Sequence, residues 1–340
     1  MDSVTQALLG ATTFACIKDK ETGNKGLLIG AIAATIPDLD VLLFPFYSNV
    51  ELISIHRGFS HSVFFALIAS LILAITFKRL YKSNSTLKSW YAAFFIAIFT
   101  HALLDACTTY GTQLLSPFSN HLFSFNIIHV IEPIYTSILL IGLIFLLIKK
   151  ININRKKTIW LSLVLSSTYL IWTLISQNIA KKKFKMELNA QHIEYETLML
   201  APTPLNSVLW NAIIKTKEGY YFANYSLFDK EDKMIFYFEE SIMNLPEKIK
   251  KIPKIASYLN YTQGYPLIRK DAFANIKIYA IKYGPINFYG KPKFIHPLCF
   301  NENTVIDNQI DICYNTEKIG FYKNLNELKT RTFGKPKANP

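Results

Sequence analysis

The sequence predicts an α-helical transmembrane bundle of about six membrane segments, followed by a small β-rich (α+β) soluble domain. Three observations predict it. Up to about residue 180 the chain is a succession of apolar runs separated by short polar breaks. Lysines and arginines gather in alternate breaks, the pattern that sets the orientation of a membrane protein. Beyond residue 180, tyrosine, lysine and asparagine mix with short aromatic and β-branched stretches of the kind that form strands. A mean hydropathy of +0.20 over 340 residues therefore averages an oily part with an ordinary soluble one. A net charge of +13 on a soluble surface would suggest nucleic acid; concentrated in membrane breaks it sets topology instead, and no nucleic-acid partner is expected.

Taken in order, the apolar segments are residues 4–17, 26–44, 62–77, 90–107, 131–148 and 158–180. Spanning a bilayer takes roughly 20 residues, so the first falls short and the last two read as full spans. Lys18, Lys20 and Lys25 fill the first break, Lys78, Arg79, Lys82 and Lys88 the third, and Lys149, Lys150, Arg155, Lys156 and Lys157 the fifth. The second and fourth breaks, 45–59 and 108–128, carry only Glu51 and Arg57 as fixed charges. The lysine-rich breaks then face the cytoplasm of a multi-pass cell (inner) membrane protein.

Residues 1–180 form the membrane domain, 181–330 an extracytoplasmic β-rich domain and 331–340 a tail that frays from Lys329. Lys181, Lys182, Lys183 and Lys185 open the exported domain against the charge rule, which long domains override. Strands are expected at 207–215, 220–227, 234–238 and 275–283, with turns at Glu218–Gly219 and 229–232, and a helix at 245–259. The amino terminus has no positive leader or cleavage site and is expected to be retained. Cys16 and Cys107 read as small core residues, and a bridge between Cys299 and Cys313 is left open.

Single crossings bring the chemistry-bearing residues to the outer face. Asp38 and Asp40 close the second segment, His56, Arg57 and His61 open the third, His101 and Asp105 close the fourth, and His129 and Glu132 open the fifth. Ionisable groups beside hydrocarbon are costly and mark function. His101 and Asp105, at i and i+4, share a helix face. Pro37 disfavours helical geometry at Ile36, so the chain can bend to aim Asp38 and Asp40 inward, and Gly58 lets it turn between His56 and His61. Imidazoles with carboxylates suit zinc, manganese or iron, as one or two ions.

His56, His61, His101 and Asp105 are the expected metal ligands. Asp38 and Asp40 serve as further ligands or base, and Arg57 holds an anionic group. His129, Glu132 and Gln6 are further ligands or hydrogen-bonding partners of ligands. His121 reads as an interface anchor, and His192 and His296 as ordinary residues of the later domain. No serine or cysteine nucleophile motif is present, so metal-activated water is the expected attacking group.

Asp2-Ser-Val-Thr-Gln6 with Leu9-Gly10, Pro37-Asp-Leu-Asp40, His56-Arg-Gly-Phe-Ser-His-Ser62 and His101-Ala-Leu-Leu-Asp105 resemble the membrane-bound metal-dependent hydrolase family, YdjM-like. The stretch Tyr110-Gly-Thr-Gln-Leu-Leu-Ser-Pro-Phe118 and Glu132-Pro133 are similar to the same family, over about the first 140 residues, and Ala201–Trp210 resembles the later domain of its longer members. Gln6 stands where some relatives have histidine, and Glu132 where many have aspartate. The resemblance implies an inner-membrane metal-dependent hydrolase. The site's depth favours a lipid-like or phosphorylated substrate reached from the bilayer. A transporter with an ion or proton path, and a membrane anchor with a structural metal, are the alternatives.

Overall fold

The computed structural model describes residues 1–148, 154–230, 234–303, 310–313 and 321–334, with backbone alone at Ser54 and 321–324. Lys149 and Lys150 of the fifth break, Glu231 and Asp232 of the expected 229–232 turn, and the tail residues 335–340 lie outside it. The chain divides into two compact units. One comprises Met1–Pro45 with Ile55–Trp172, the other Phe46–Ser54 with Thr173–Pro340.

In the first unit, α1 (Ser3–Thr35) begins at Asp2, whose carboxylate accepts the N–H of Thr5 at 2.9 Å and its hydroxyl at 2.6 Å. It is not one rod. Gly23 has φ 52° and ψ −135°, a conformation that glycine alone adopts freely, and the chain doubles back there. A Cβ on Gly30 would collide with the carbonyl oxygen of Gly10, and one on Gly10 with the side chain of Ala34. Along a straight helix Gly10 and Gly30 would be about 30 Å apart. Small residues thus let two arms meet backbone to backbone, and the expected break at Lys18–Lys25 is the hairpin's turn.

A 3-10 segment (Ile36–Phe46), α2 (Asn49–Ile55) and a 3-10 turn (Phe59–His61) lead into α3 (Val63–Leu80), capped by the Ser62 hydroxyl at 3.0 Å from Phe65 N. Then come α4 (Leu87–Ala106), α5 (Pro133–Leu147) and α6 (Arg155–Ala190). Among the described residues, four stretches are long and apolar enough to cross a membrane: Ser3–Phe46, Val63–Leu80, Leu87–Ala106 and Arg155–Ala190. The number differs from the expected six for two physical reasons. The first stretch contains the hairpin, and residues 131–148, expected as a full span, yield an α5 of 15 residues, about 22 Å against a hydrocarbon core of about 30 Å.

Between the hairpin, α3 and α4 lies an aromatic core of Phe14, Trp90 and Phe94 set among Ala33, Ala66, Ala74, Ala93 and Ala97. At one end of this unit Glu21 accepts from Lys18 at 2.8 Å and from the hydroxyls of Ser83 and Ser85. There Arg155 also donates to Asp19 and Asn24. The first, third and fifth breaks therefore converge.

In the second unit, β1 (Thr197–Pro202), β2 (Leu209–Lys215), β3 (Gly219–Ser226) and β4 (Tyr237–Glu240) form one antiparallel sheet. A second comprises β5 (Pro266–Lys270), β6 (Asn275–Ala280), β7 (Leu298–Asn301) and β8 (Asp311–Ile312). Ile213, Tyr220 and Phe222 of the first sheet cluster with Leu267 and Tyr279 of the second, and the first sheet's other face packs against Ala180, Phe184 and Leu188 of α6.

The helix expected over 245–259 is two, α7 (Glu247–Lys250) and α8 (Pro253–Tyr261), because Pro253 begins a helix and disfavours helical geometry at the residue before it. Cys299 and Cys313 form a disulfide. The tail expected to fray from Lys329 is instead helical to Thr332, in α9 (Phe321–Thr332). Arg331 anchors it through bonds to Asp229 and to the carbonyl of Asn224.

Candidate metal centre

At the end of the first unit opposite the lysine-rich breaks, local structure aims four side chains at one point. His101 and Asp105 lie one turn apart on α4, the spacing that puts them on one face. His61 ends the short 3-10 turn just before the Ser62 cap, so the start of α3 fixes its backbone. Asp38 and Asp40 sit on the 3-10 segment after α1, where three residues make a turn and side chains two apart diverge. They diverge around the His61 ring: Asp38 Oδ1 is 3.3 Å from Nε2, while Asp40 Oδ2 is 3.7 Å from Nδ1.

Asp38, His61, His101 and Asp105 each offer one donor atom within 4.8 Å of all the others. His101 Nε2 lies 3.1 Å from His61 Nε2, 3.4 Å from Asp38 Oδ1 and 3.5 Å from Asp105 Oδ2. His61 Nε2 lies 3.4 Å from Asp105 Oδ2. A tetrahedral zinc ion with bonds of about 2.0–2.1 Å requires donors about 3.3–3.4 Å from one another. The five separations given among these four residues lie close to that value, so the residues present fit such an ion. Among the described residues this is the one His/Cys/Asp/Glu group that could hold a metal.

The surroundings orient the four. Asp105 Oδ1 accepts from Gln6 Nε2 at 3.2 Å, pairs with Arg57 at 3.1 Å and accepts from the amino group of Met1, which leaves Oδ2 to face the imidazoles. Gln6 also donates to the carbonyl of His101. Arg57 donates to the Thr108 hydroxyl at 2.9 Å and lies over the ring of Tyr110. Burial pushes the Tyr110 phenol up to about 12, so it stays protonated.

Where a turn at Gly58 was expected, Arg57 itself takes the left-handed conformation, φ 62°. This turns its N–H onto Asp40 Oδ2 at 3.2 Å while its guanidinium reaches Asp105. The loop after α4 clamps the turn, with Gln113 N–H donating to the carbonyl of Arg57 at 3.0 Å.

His56 stands outside the group of four. Its Nδ1 lies 3.1 Å from Asp40 Oδ1, and its ring packs edge-on against Phe44, His61 and Tyr110. His56 and Asp38 keep 24% and 22% of their side-chain surface, whereas His61, His101 and Asp105 keep almost none, so the site opens on the side of these two.

His129 and Glu132 are not brought into the group. His129 Nδ1 accepts from the N–H of Ile131, and burial pushes its imidazole down to about 4. Glu132 accepts from the Tyr169 hydroxyl at 2.7 Å. His121 is exposed and packs on Phe123. Ser60 escaped the sequence reading although it lies inside the quoted His56–Ser62 run. Its hydroxyl contacts Asp40 and the Nδ1 of His61. A hydroxyl one residue before a histidine carries no distinguishing sequence signal.

Comparison with known proteins sets this site in a family. The family described as YdjM inner membrane protein matches residues 1–180, more than half of the chain. YfhP of Bacillus subtilis (strain 168) is 25% identical over 229 residues, 65% of this chain and 67% of that protein. The inner membrane protein YbcI of Escherichia coli (strain K12) is 35% identical over 102 residues, 28% of this chain and 56% of YbcI, so the chain spans about half the length of that relative. No solved structure matches.

Proposed function

The chain belongs to the YdjM inner membrane protein family, and from that premise we propose that it is an integral membrane metal-dependent hydrolase with its site at the outer face. The observation that carries this reading is the convergence of Asp38, His61, His101 and Asp105, with donor atoms within 4.8 Å of one another, at one end of the helical unit. They are the proposed ligands of one divalent ion, zinc or manganese, and a set of four donors suits one ion better than two. A catalytic ion keeps one position open, so buried His61, His101 and Asp105 would hold it while partly exposed Asp38 yields the fourth position. When bound, such an ion would supply a water acidic enough to attack an ester or phosphoester at neutral pH.

The side chains around it suit that chemistry. Asp40 accepts from Nδ1–H of His56, which leaves His56 Nε2 as the basic nitrogen. His56 sits at the open side of the site and is the proposed acid–base residue, backed by Asp40. Arg57, expected from sequence to hold a substrate anion, is 5% exposed with its guanidinium engaged by Asp105 and Thr108. It is better suited to holding Asp105 in place.

Leu39, next in sequence to both Asp38 and Asp40, is 53% exposed, so apolar surface adjoins the carboxylate-bearing segment. That favours an amphiphilic substrate entering from the bilayer. A transport path is disfavoured because Phe14, Trp90 and Phe94 plug the interior between the two polar ends.

The test is elemental analysis of detergent-purified protein beside His101→Ala, followed by turnover of p-nitrophenyl phosphate and p-nitrophenyl ester probes. Near-stoichiometric metal in the wild type, lost in His101→Ala, with turnover lost in a correctly folded His56→Ala that keeps its metal, is expected. Metal without turnover of either probe overturns the hydrolase reading, and turnover unchanged in His56→Ala overturns the acid–base role of His56.

A further inference from the structure

Ser60 joins two groups already described. Its hydroxyl donates to Asp40 Oδ2 at 3.2 Å and lies 2.9 Å from the Nδ1 of His61. A hydroxyl has one proton, and an ionised carboxylate can only accept. With that proton committed to Asp40, the serine oxygen must accept, so Nδ1 of His61 carries the hydrogen and Nε2 keeps its lone pair. Nε2 is the atom that faces Asp38, His101 and Asp105.

Asp40 is held in turn by the main-chain N–H of Arg57, which reaches it because Arg57 adopts φ 62°. The chain from Arg57 N–H through Asp40 and Ser60 to His61 therefore ends in the tautomer whose free lone pair, on Nε2, faces the cluster and can bind a cation there. His101 has no counterpart, for its Nδ1 is buried without a hydrogen-bond partner among the described residues. The two imidazoles are thus unequal, and only one is locked.

We propose that Ser60 is a positioning residue that fixes the His61 tautomer for metal binding, with Asp40 as its anchor. This rests on the reading of Asp38, His61, His101 and Asp105 as a metal centre. Orienting partners of this kind are worth about 10–100-fold in metal affinity. Asp40 thereby serves two histidines, His56 through one oxygen and His61 through Ser60 on the other.

The experiment is competition for Zn2+ between a chromophoric chelator and the full chain in detergent, comparing wild type, Ser60→Ala, Ser60→Thr and His61→Ala. The Co2+-loaded visible spectrum reports ligand geometry. Expected are one ion per wild-type chain, an affinity about 10–100-fold lower in Ser60→Ala with the stoichiometry kept, recovery in Ser60→Thr, and loss of the ion in His61→Ala. Metal-free Ser60→Ala should melt at the wild-type temperature, which separates positioning from folding. An affinity of Ser60→Ala within about twofold of wild type while His61→Ala loses the ion overturns the role of Ser60 and leaves the metal centre standing. A wild-type chain that takes up no ion overturns the centre itself, and the proposal with it.

Discussion

Glu132 is a buried carboxyl whose one oxygen accepts from the Tyr169 hydroxyl at 2.7 Å while the other has no partner among the described residues. Tyr169→Phe removes that bond from a buried acceptor and should cost about 1–3 kcal/mol, read as a lower thermal midpoint in detergent; an unchanged midpoint means the group is solvated. At this scale the imidazoles and acids were legible, because few side chains other than ligands and bases tolerate the edge of an apolar run. Their division of labour was not. His56 and Asp38 exchange places between the ligand set and its flank according to how the turn after α2 and the 3-10 segment after α1 point them, and no spacing rule gives that direction.

Among elements, the hairpin in α1 controls the site, because its second arm leads directly into the 3-10 segment that carries Asp38. Its two glycines of interest fail differently when replaced. At Gly23 a Cβ meets nothing within 4 Å, so Gly23→Ala costs only the strain of a left-handed backbone, about 1–3 kcal/mol. At Gly30 a Cβ meets the Gly10 backbone and Phe14, so Gly30→Val must push the arms apart. Overpacking of this kind costs about 1–3 kcal/mol, and here it also displaces Asp38 from its partners. Both variants should melt lower, but only Gly30→Val should lose bound metal, as measured by elemental analysis of the folded fraction. Equal metal content in the two would show that the arms do not set the site. The break was legible from Lys18, Lys20 and Lys25, whereas Gly23 as the point of reversal was not. Nor was the short α5, because the apolar run that contains it continues past both ends of the helix.

For the whole molecule, the membrane arrangement follows from which ends meet. Glu21 binds Ser83 and Ser85, and Arg155 binds Asp19, so alternate breaks share one end of the helical unit, while Asp38, His61, His101 and Asp105 share the other. Four stretches are long enough to span; on the proposal that each arm of α1 and the short α5 also crosses once, six crossings would produce this alternation. On that proposal the lysine content of the breaks places the site end outside. Parity would then carry α6 outward and export the β-rich unit, in which Cys299 and Cys313 are joined, a bond that persists in oxidising compartments. Two independent measurements bear on this. Reporters fused after Lys82 and after Asn120 should report opposite compartments. In cells treated with a thiol-blocking reagent before lysis, Cys299 and Cys313 should remain unmodified until a reductant is added, because both sulfurs are already bonded. Reporters in the same compartment would remove the alternation. Free thiols at Cys299 and Cys313 with the reporters still opposed would keep the bundle and return the β-rich unit to the cytoplasm, which an odd number of crossings after the loop at Asn120 would require.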